Sequence, residues 1–163
     1  MISDVISGDA KQFDPGDNKT FSVTGRVRSP VVFGLEDLRA MEIEEIEDLL
    51  LICGDGDPKG HIKSCRGVLI ENVIRMAEVI KEEHDDTKKM FLVASADDGY
   101  KVVFSWQEIF NTVVGGGVMV VLERDGEPLD RTQGCFDLIS AEDYFTGARY
   151  VKGLRNIEVV LVR

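Results

Sequence analysis

Met90-Phe91-Leu92-Val93-Ala94-Ser95-Ala96-Asp97-Asp98-Gly99-Tyr100-Lys101-Val102-Val103-Phe104 is the stretch on which the fold turns. Two apolar, β-prone runs flank Asp97-Asp98-Gly99, and Asp-Gly accepts the positive φ of a tight connection. Residues 90–96 and 100–104 are therefore expected to pair as a hairpin. The signature recurs at Asp125-Gly126, which should join Val118–Leu122 to a partner strand. Directly after the first hairpin, Ser105-Trp106-Gln107-Glu108 is a capping box. Its hydroxyl and carboxylate satisfy the free N–H groups at the start of a short helix, which Gly115-Gly116-Gly117 ends.

Upstream, Phe21-Ser22-Val23-Thr24-Gly25-Arg26-Val27-Arg28 alternates apolar and polar side chains, the mark of a half-buried strand, and Ser29-Pro30 stops it. A short helix is expected over Leu35–Met41. Leu49-Leu50-Leu51-Ile52-Cys53 reads as a buried strand entering the long turn Gly54-Asp55-Gly56-Asp57-Pro58-Lys59-Gly60, with Cys53 at the strand's end. From Gly67, the apolar residues Leu69, Val73, Met76, Ala77 and Ile80 recur at helical spacing, and a charged run from Lys81 to Asp86 closes what should be the longest helix. Asn156–Val162 supplies a last strand. Strands in hairpins outnumber the two or three helices, which predicts a mixed, hairpin-rich α+β domain rather than a doubly wound parallel sheet. Residues 1–20, rich in Asp, Gly, Ser and Lys, are set apart as an arm, leaving 21–163 as one domain.

With 30 acidic and 19 basic residues, the chain carries a formal charge of -11, which repels phosphate backbones and excludes nucleic acid as a partner. No run approaches the ~20 apolar residues of a membrane span. As written, the protein reads as cytoplasmic, or periplasmic were a leader removed. An anionic ligand would need a local group of cations, and Lys59, His61, Lys63 and Arg66 are the densest. The Gly54–Gly60 turn is not a dinucleotide fingerprint, because Lys59 stands where a glycine is needed. Nor is it a calcium loop, because Arg66 stands where a bidentate glutamate is needed. Three cysteines without a C-x-x-C pair read as reduced thiols, and Cys53, His61 and Cys65 lack the spacing of a closed zinc site. His84 sits in an acidic, solvent-facing run.

Asp125-Gly126-Glu127-Pro128-Leu129, then Gly134, then Gly147-Ala148-Arg149-Tyr150-Val151-Lys152-Gly153-Leu154, then Ile157-Glu158-Val159 follow one another in order. Upstream stand Gly25 and Pro30, Arg66-Gly67-Val68-Leu69 opening the main helix, and Asp98-Gly99-Tyr100. This succession resembles the molybdopterin-binding domain of sulfite oxidases over residues 21–163. The resemblance implies that Cys53, at a strand end, is the thiolate ligand wherever molybdenum is bound. It further implies that Arg149 and Lys152 hold the phosphate or pterin end of the cofactor, molybdopterin or a related pterin. His61, Lys63, Arg66 and Tyr100 complete the expected cofactor-binding set.

The chain also departs from that family. Gly54-Asp55-Gly56-Asp57 replaces a polar G-N-R-R-like segment, and no Arg/His-bearing upstream segment is present. Gly134-Cys135-Phe136-Asp137 puts a carboxylate where an arginine is common, which argues against sulfite as substrate. The reading that follows is a small pterin-binding protein with a sensing, carrying or delivery role. Its rivals are a molybdenum oxidoreductase using Cys53, and an interaction module that has lost its ligand.

Overall fold

A computed structural model describes residues 18–129, 131 and 134–163. In chain order the first elements are β1 (Thr20–Gly25), β2 (Val31–Gly34), α1 (Leu35–Arg39), β3 (Glu44–Ile52), β4 (Pro58–Leu69) and α2 (Ile70–Met76). The central hairpin and its helix are β5 (Met90–Ala96), β6 (Lys101–Ser105) and α3 (Trp106–Asn111). There follow β7 (Val118–Arg124), β8 (Glu127–Pro128), β9 (Asp137–Ser140), β10 (Val151–Lys152) and β11 (Leu154–Leu161). The arm assigned to residues 1–20 lies outside the described residues as far as Asp17, while Thr20 already opens β1.

The strands form two sheets, ordered β2-β1-β11-β5-β6 and β10-β9-β7-β4-β3, with β8 paired to β7. β11 does not close an edge: it lies mid-sheet, parallel to β1 and antiparallel to β5. The other strand pairs are antiparallel, so the mixed, hairpin-rich α+β architecture is as expected. Both Asp-Gly connections form. Gly99 has φ 92°, and Asp125 and Gly126 have φ 52° and 84°, the paired positive values of a type I′ turn. Ser105 caps α3 as its spacing requires, its Oγ accepting from Glu108 N–H at 3.0 Å while Glu108 accepts from Ser105 N–H at 2.9 Å.

The main core lies between the sheets. Phe21, Phe33, Leu92, Phe104 and Ile157 of the first sheet meet Val68, Val118, Val120 and Leu138 of the second. A smaller core of Leu49, Leu51, Ile62, Cys65, Met119, Val121 and Ile139 covers the other face of the second sheet. β7 thus sends alternate side chains into both, which is why Val118–Leu122 is apolar without interruption.

Two readings are corrected. Arg66-Gly67-Val68-Leu69 does not open the long helix but ends β4, pairing with β3 on one side and β7 on the other. A Cβ on Gly67 would lie 1.9 Å from Val120 O, so glycine is needed there for close strand packing. The helix α2 begins at Ile70 and stops at Met76, because the chain beyond it turns extended. Val79 bridges Val27, and Ile80 N–H donates to Arg26 O at 2.9 Å. Helical spacing in the sequence is overridden by these strand-like partners. The long Gly54–Gly60 turn also contracts to residues 53–57, where Cys53 N–H donates to Asp57 O at 2.8 Å, and β4 starts at Pro58. The basic segment 59–66 is consequently strand rather than loop.

Candidate functional site

The segment between β9 and β10, neighbouring strands of the second sheet, reaches across to the edge of the first sheet as a strap. At β3, an edge strand, Thr146 Oγ accepts from Ile52 N–H at 3.0 Å and donates to Leu50 O at 2.6 Å. Gly147 N–H donates to Ile52 O at 2.7 Å, and a Cβ on Gly147 would come within 2.8 Å of that oxygen. At β6, the edge of the other sheet, Arg149 Nη1 donates to Val103 O at 2.9 Å. One loop therefore satisfies exposed backbone groups on both edges, and it fixes the distance between the sheets at this end.

A cleft of about 480 Å³ opens beside the strap, within the range of small-ligand sites. Leu51, Gly60, Ala96 and Gly147 form part of its wall, with Tyr100 and Tyr150 as aromatic groups. Its charged residues are Lys59 of β4, Arg124 of β7, Lys152 of β10 and, opposing them, Asp98 of the central hairpin. Among the described residues, none of the three cations has a carboxylate within ion-pair distance. Asp98 is occupied in its own turn, accepting from Tyr100 N–H at 3.0 Å. In a chain of net charge -11, three cations from three elements are concentrated at one concavity. Tyr100 reaches across to the strap, donating to Ala148 O at 2.5 Å.

The residues singled out in the sequence separate into three groups. Tyr100 and Lys152 line the cleft. Cys53 borders it: half-buried, it follows β3, and its Cα would lie 3.6 Å from a Cβ on the cleft residue Gly147. Of the basic cluster that is dense in sequence, Lys59 lines the cleft, while His61, Lys63 and Arg66, further along β4, are not among the lining residues. His61 stands 3.6 Å from Asp48, and Arg66 stands 3.8 Å from Glu123.

Arg149 lies outside the cleft lining, and all its N–H groups are used. Its Nε and Nη2 donate to Asp143 at 2.9 and 2.8 Å, its Nη1 and Nη2 to Glu108 at 3.3 and 3.2 Å, and the guanidinium covers Phe104 at 4.3 Å. The hydrogen bonds that Arg149 donates to Asp143 push its pKa up further, against the opposing effect of burial. Burial alone would raise the Glu108 carboxyl, but Arg149 and the Ser105 N–H overcome this and hold it below its ordinary range. Arg149 thus clamps the strap to β6 and α3, with its donors engaged inside the protein.

Asp137 also needs a new account. It is buried and accepts from both Nη groups of Arg131, from Gly153 N–H at 3.0 Å and from Tyr150 O–H at 2.6 Å. Its charge is compensated inside the protein and is not presented to a ligand, so it does not argue against anions in the cleft. Burial first, and then Asp137, push the Tyr150 phenol far above its usual pKa, keeping it a donor. Cys65 lies in the smaller core, where burial pushes its thiol up to about 11, and Cys135 is buried as well. Cys53, His61 and Cys65 are thus dispersed, and among the described residues no cluster has the makings of a metal site.

Sequence reading gave Arg124 no weight. It closes an apolar strand before a turn, where the β4–β7 pairing sets it opposite Cys65, and it lines the same cleft as Lys59.

Two comparisons extend this geometry. Residues 8–162 match the model of a family described as the oxidoreductase molybdopterin binding domain. The match begins within the segment set apart as an arm. A solved structure, the sulfane dehydrogenase SoxCD from Paracoccus pantotrophus, superimposes with a TM-score of 0.65 over 94% of this chain at 19% identity. The chain spans 41% of the length of that relative, and at this identity the likeness is one of fold. No curated protein matches the sequence.

Proposed function

Since the chain belongs to the oxidoreductase molybdopterin-binding domain family, we propose that it is a small pterin-binding protein whose cleft takes a molybdopterin-type ligand for carrying, delivery or sensing. The observation that supports this most is the convergence of Lys59, Arg124 and Lys152, none with a carboxylate partner among the described residues, on one cleft of about 480 Å³ in an acidic protein. The donor set fits the ligand's chemistry. Three cations suit the phosphate end, the ring of Tyr100 can flank a flat heterocycle, and the backbone of the strap can meet its polar edge.

A second reading, a molybdenum-dependent oxidoreductase, draws support from Cys53. The residue is half-buried, follows directly on β3, and has its backbone beside the cleft residue Gly147, which would set a soft metal ligand near the cleft. Bound molybdopterin would there supply redox chemistry. The chain's own part would be to orient the cofactor, hold its charge and limit water.

Protein purified from a host that makes the cofactor separates these readings by metal analysis and by the fluorescence of pterin released on denaturation. Pterin without molybdenum is the expected result. Molybdenum near one per chain, lost in Cys53→Ser, would move the assignment to the oxidoreductase. Neither pterin nor metal would overturn both and leave an interaction module. Lys152→Ala should weaken pterin binding roughly tenfold, the effect of losing one charged hydrogen bond.

A further inference from the structure

At the far end of the β5–β6 hairpin from the cleft, a second cavity of about 440 Å³ is lined by α2, the extended segment after it and α3. Ala96, Asp98 and Tyr100 line the cleft at the hairpin's turn, whereas Trp106 begins α3 directly after Ser105, which pairs with Phe91 at the other end. Ile74, Ala77 and Val79 give this cavity an apolar floor. Its wall is aromatic: the rings of Trp106 and Phe110 stack at 4.3 Å.

Two cations stand over that wall. The Lys81 ammonium lies 5.5 Å from the centre of the Trp106 ring, and the Arg75 guanidinium 5.5 Å from that of Phe110. Attraction to the ring faces keeps both charges at the cavity. The neighbouring carboxylates do not cancel them: Glu78 faces Arg28 at 2.8 Å, Glu71 meets Arg75 Nη1 at 3.1 Å, and Lys81 has no carboxylate within ion-pair distance among the described residues. Trp106 is only 8% exposed, and buried indoles ordinarily find an acceptor. Among the described residues its N–H makes no hydrogen bond, yet it is not sealed in the core, so a donor is left open in the wall.

We propose that this cavity is a second ligand site, for a small, flat aromatic carboxylate. The ring system packs on Trp106, Phe110 and Val79, and the carboxylate accepts from Lys81, Arg75 and the Trp106 indole N–H. The cavity's volume suits one or two fused rings. In a chain of net charge -11 an anion is repelled elsewhere, so the two cations decide binding. The site is separate from the cleft and does not depend on the pterin reading.

The test uses naphthoate and its neutral analogue, naphthalenemethanol. Trp106 is the one tryptophan, so its indole N–H gives a single resonance in isotope-labelled protein. Naphthoate should move that resonance and, by calorimetry, bind about tenfold more tightly than the alcohol, the worth of a hydrogen bond between charged groups. Replacing both cations, Arg75→Met with Lys81→Met, should bring the two affinities within about twofold of each other. Both side chains are exposed, so this variant keeps its fold, as thermal melts and retained binding of the alcohol will verify. Phe110→Leu should weaken both probes in proportion, because it removes aromatic wall and no charge.

An indole resonance unmoved at millimolar naphthoate, equal affinity for the two probes in wild type, or a full preference surviving in the double variant would overturn the proposal. Loss of naphthoate binding in Lys152→Ala would do the same, by placing the probe in the pterin cleft; unchanged binding there is the expected result.

Discussion

Replacing Arg149 by Met keeps the length and apolar stem of the side chain, and with it much of the contact over Phe104, but deletes every guanidinium donor. Asp143 and Glu108 are then left facing one another across the vacated position. Their side chains are 14% and 34% exposed, so water can re-solvate part of the lost interaction, and the Val103 carbonyl on its edge strand can do the same. Hydrogen bonds to charged groups contribute about 1.5–3 kcal/mol, and removing one partner of a fully buried pair costs about 3–5 kcal/mol. Partial exposure places this site toward the lower values, at about 2–3 kcal/mol. For a chain of this size that corresponds to a fall in Tm of roughly 5–10 °C. The one tryptophan, Trp106, begins α3 and supplies a fluorescence signal for urea unfolding of both proteins.

The pH dependence gives a second check on the same variant. Glu108 is held below its ordinary 4.5 in the folded wild type, so the stability it contributes is present above that value and is lost as pH falls through the folded pKa. In Arg149→Met the favourable partner is gone and the carboxylates repel. The difference between the two proteins should therefore be largest at neutral pH and shrink as both acids protonate. Pterin affinity, measured where both proteins are folded, should stay within about threefold of wild type, since a strap disturbance that leaves the cleft cations in place removes no charged contact. A loss under about 0.5 kcal/mol at pH 7, or a tenfold loss of pterin affinity without destabilisation, would refute the clamp and return Arg149 to the ligand.

Gly147→Val should lower the Tm and impair pterin binding together, because its Cβ would meet Ile52 O at 2.8 Å and drive the strap off β3; thermal melts and calorimetry on one sample check this. Ser105→Ala should cost about 1 kcal/mol by removing a helix cap, seen in urea unfolding. In the native state Cys53 should react with an aromatic disulfide reagent while buried Cys65 and Cys135 react only on unfolding, as thiol counts with and without denaturant will report. Cys65 titrates at about 11 when folded against an ordinary 9.0. The stability it contributes is complete below pH 9 and lost as pH rises toward 11, so Cys65→Ala should flatten the alkaline limb of the pH–stability curve.

The local devices were legible because each is completed within a few residues. Asp98-Gly99 and Asp125-Gly126 carry their own backbone preference, and Ser105 with Glu108 satisfies its own helix end. Two apolar, β-prone runs flanking Asp97-Asp98-Gly99 likewise placed β5 and β6 within a residue of their observed limits. The family's succession of short motifs covered the same ground, since it records the order of such devices along the chain. Failure began where two remote segments compete for one stretch. Arg66–Leu69 looked like the opening of a helix until β3 and β7 were there to pair with it.

The cleft shows the division most clearly. Sequence alone determined that the protein is acidic, hairpin-rich and mixed α+β, and that an anionic ligand would require a gathering of cations. It pointed to the densest run, residues 59–66, because neighbours along the chain are all that a sequence displays. Of that run only Lys59 lines the cleft, because which residues line a cavity is set by the strands that meet there. Tertiary structure therefore assembled Lys59, Arg124 and Lys152 from three strands, and it turned Arg149 and Asp137 inward to compensating partners. Which charges are spent in holding the fold together and which remain for a ligand depends on distances across strands, and those exist only once the sheets have formed.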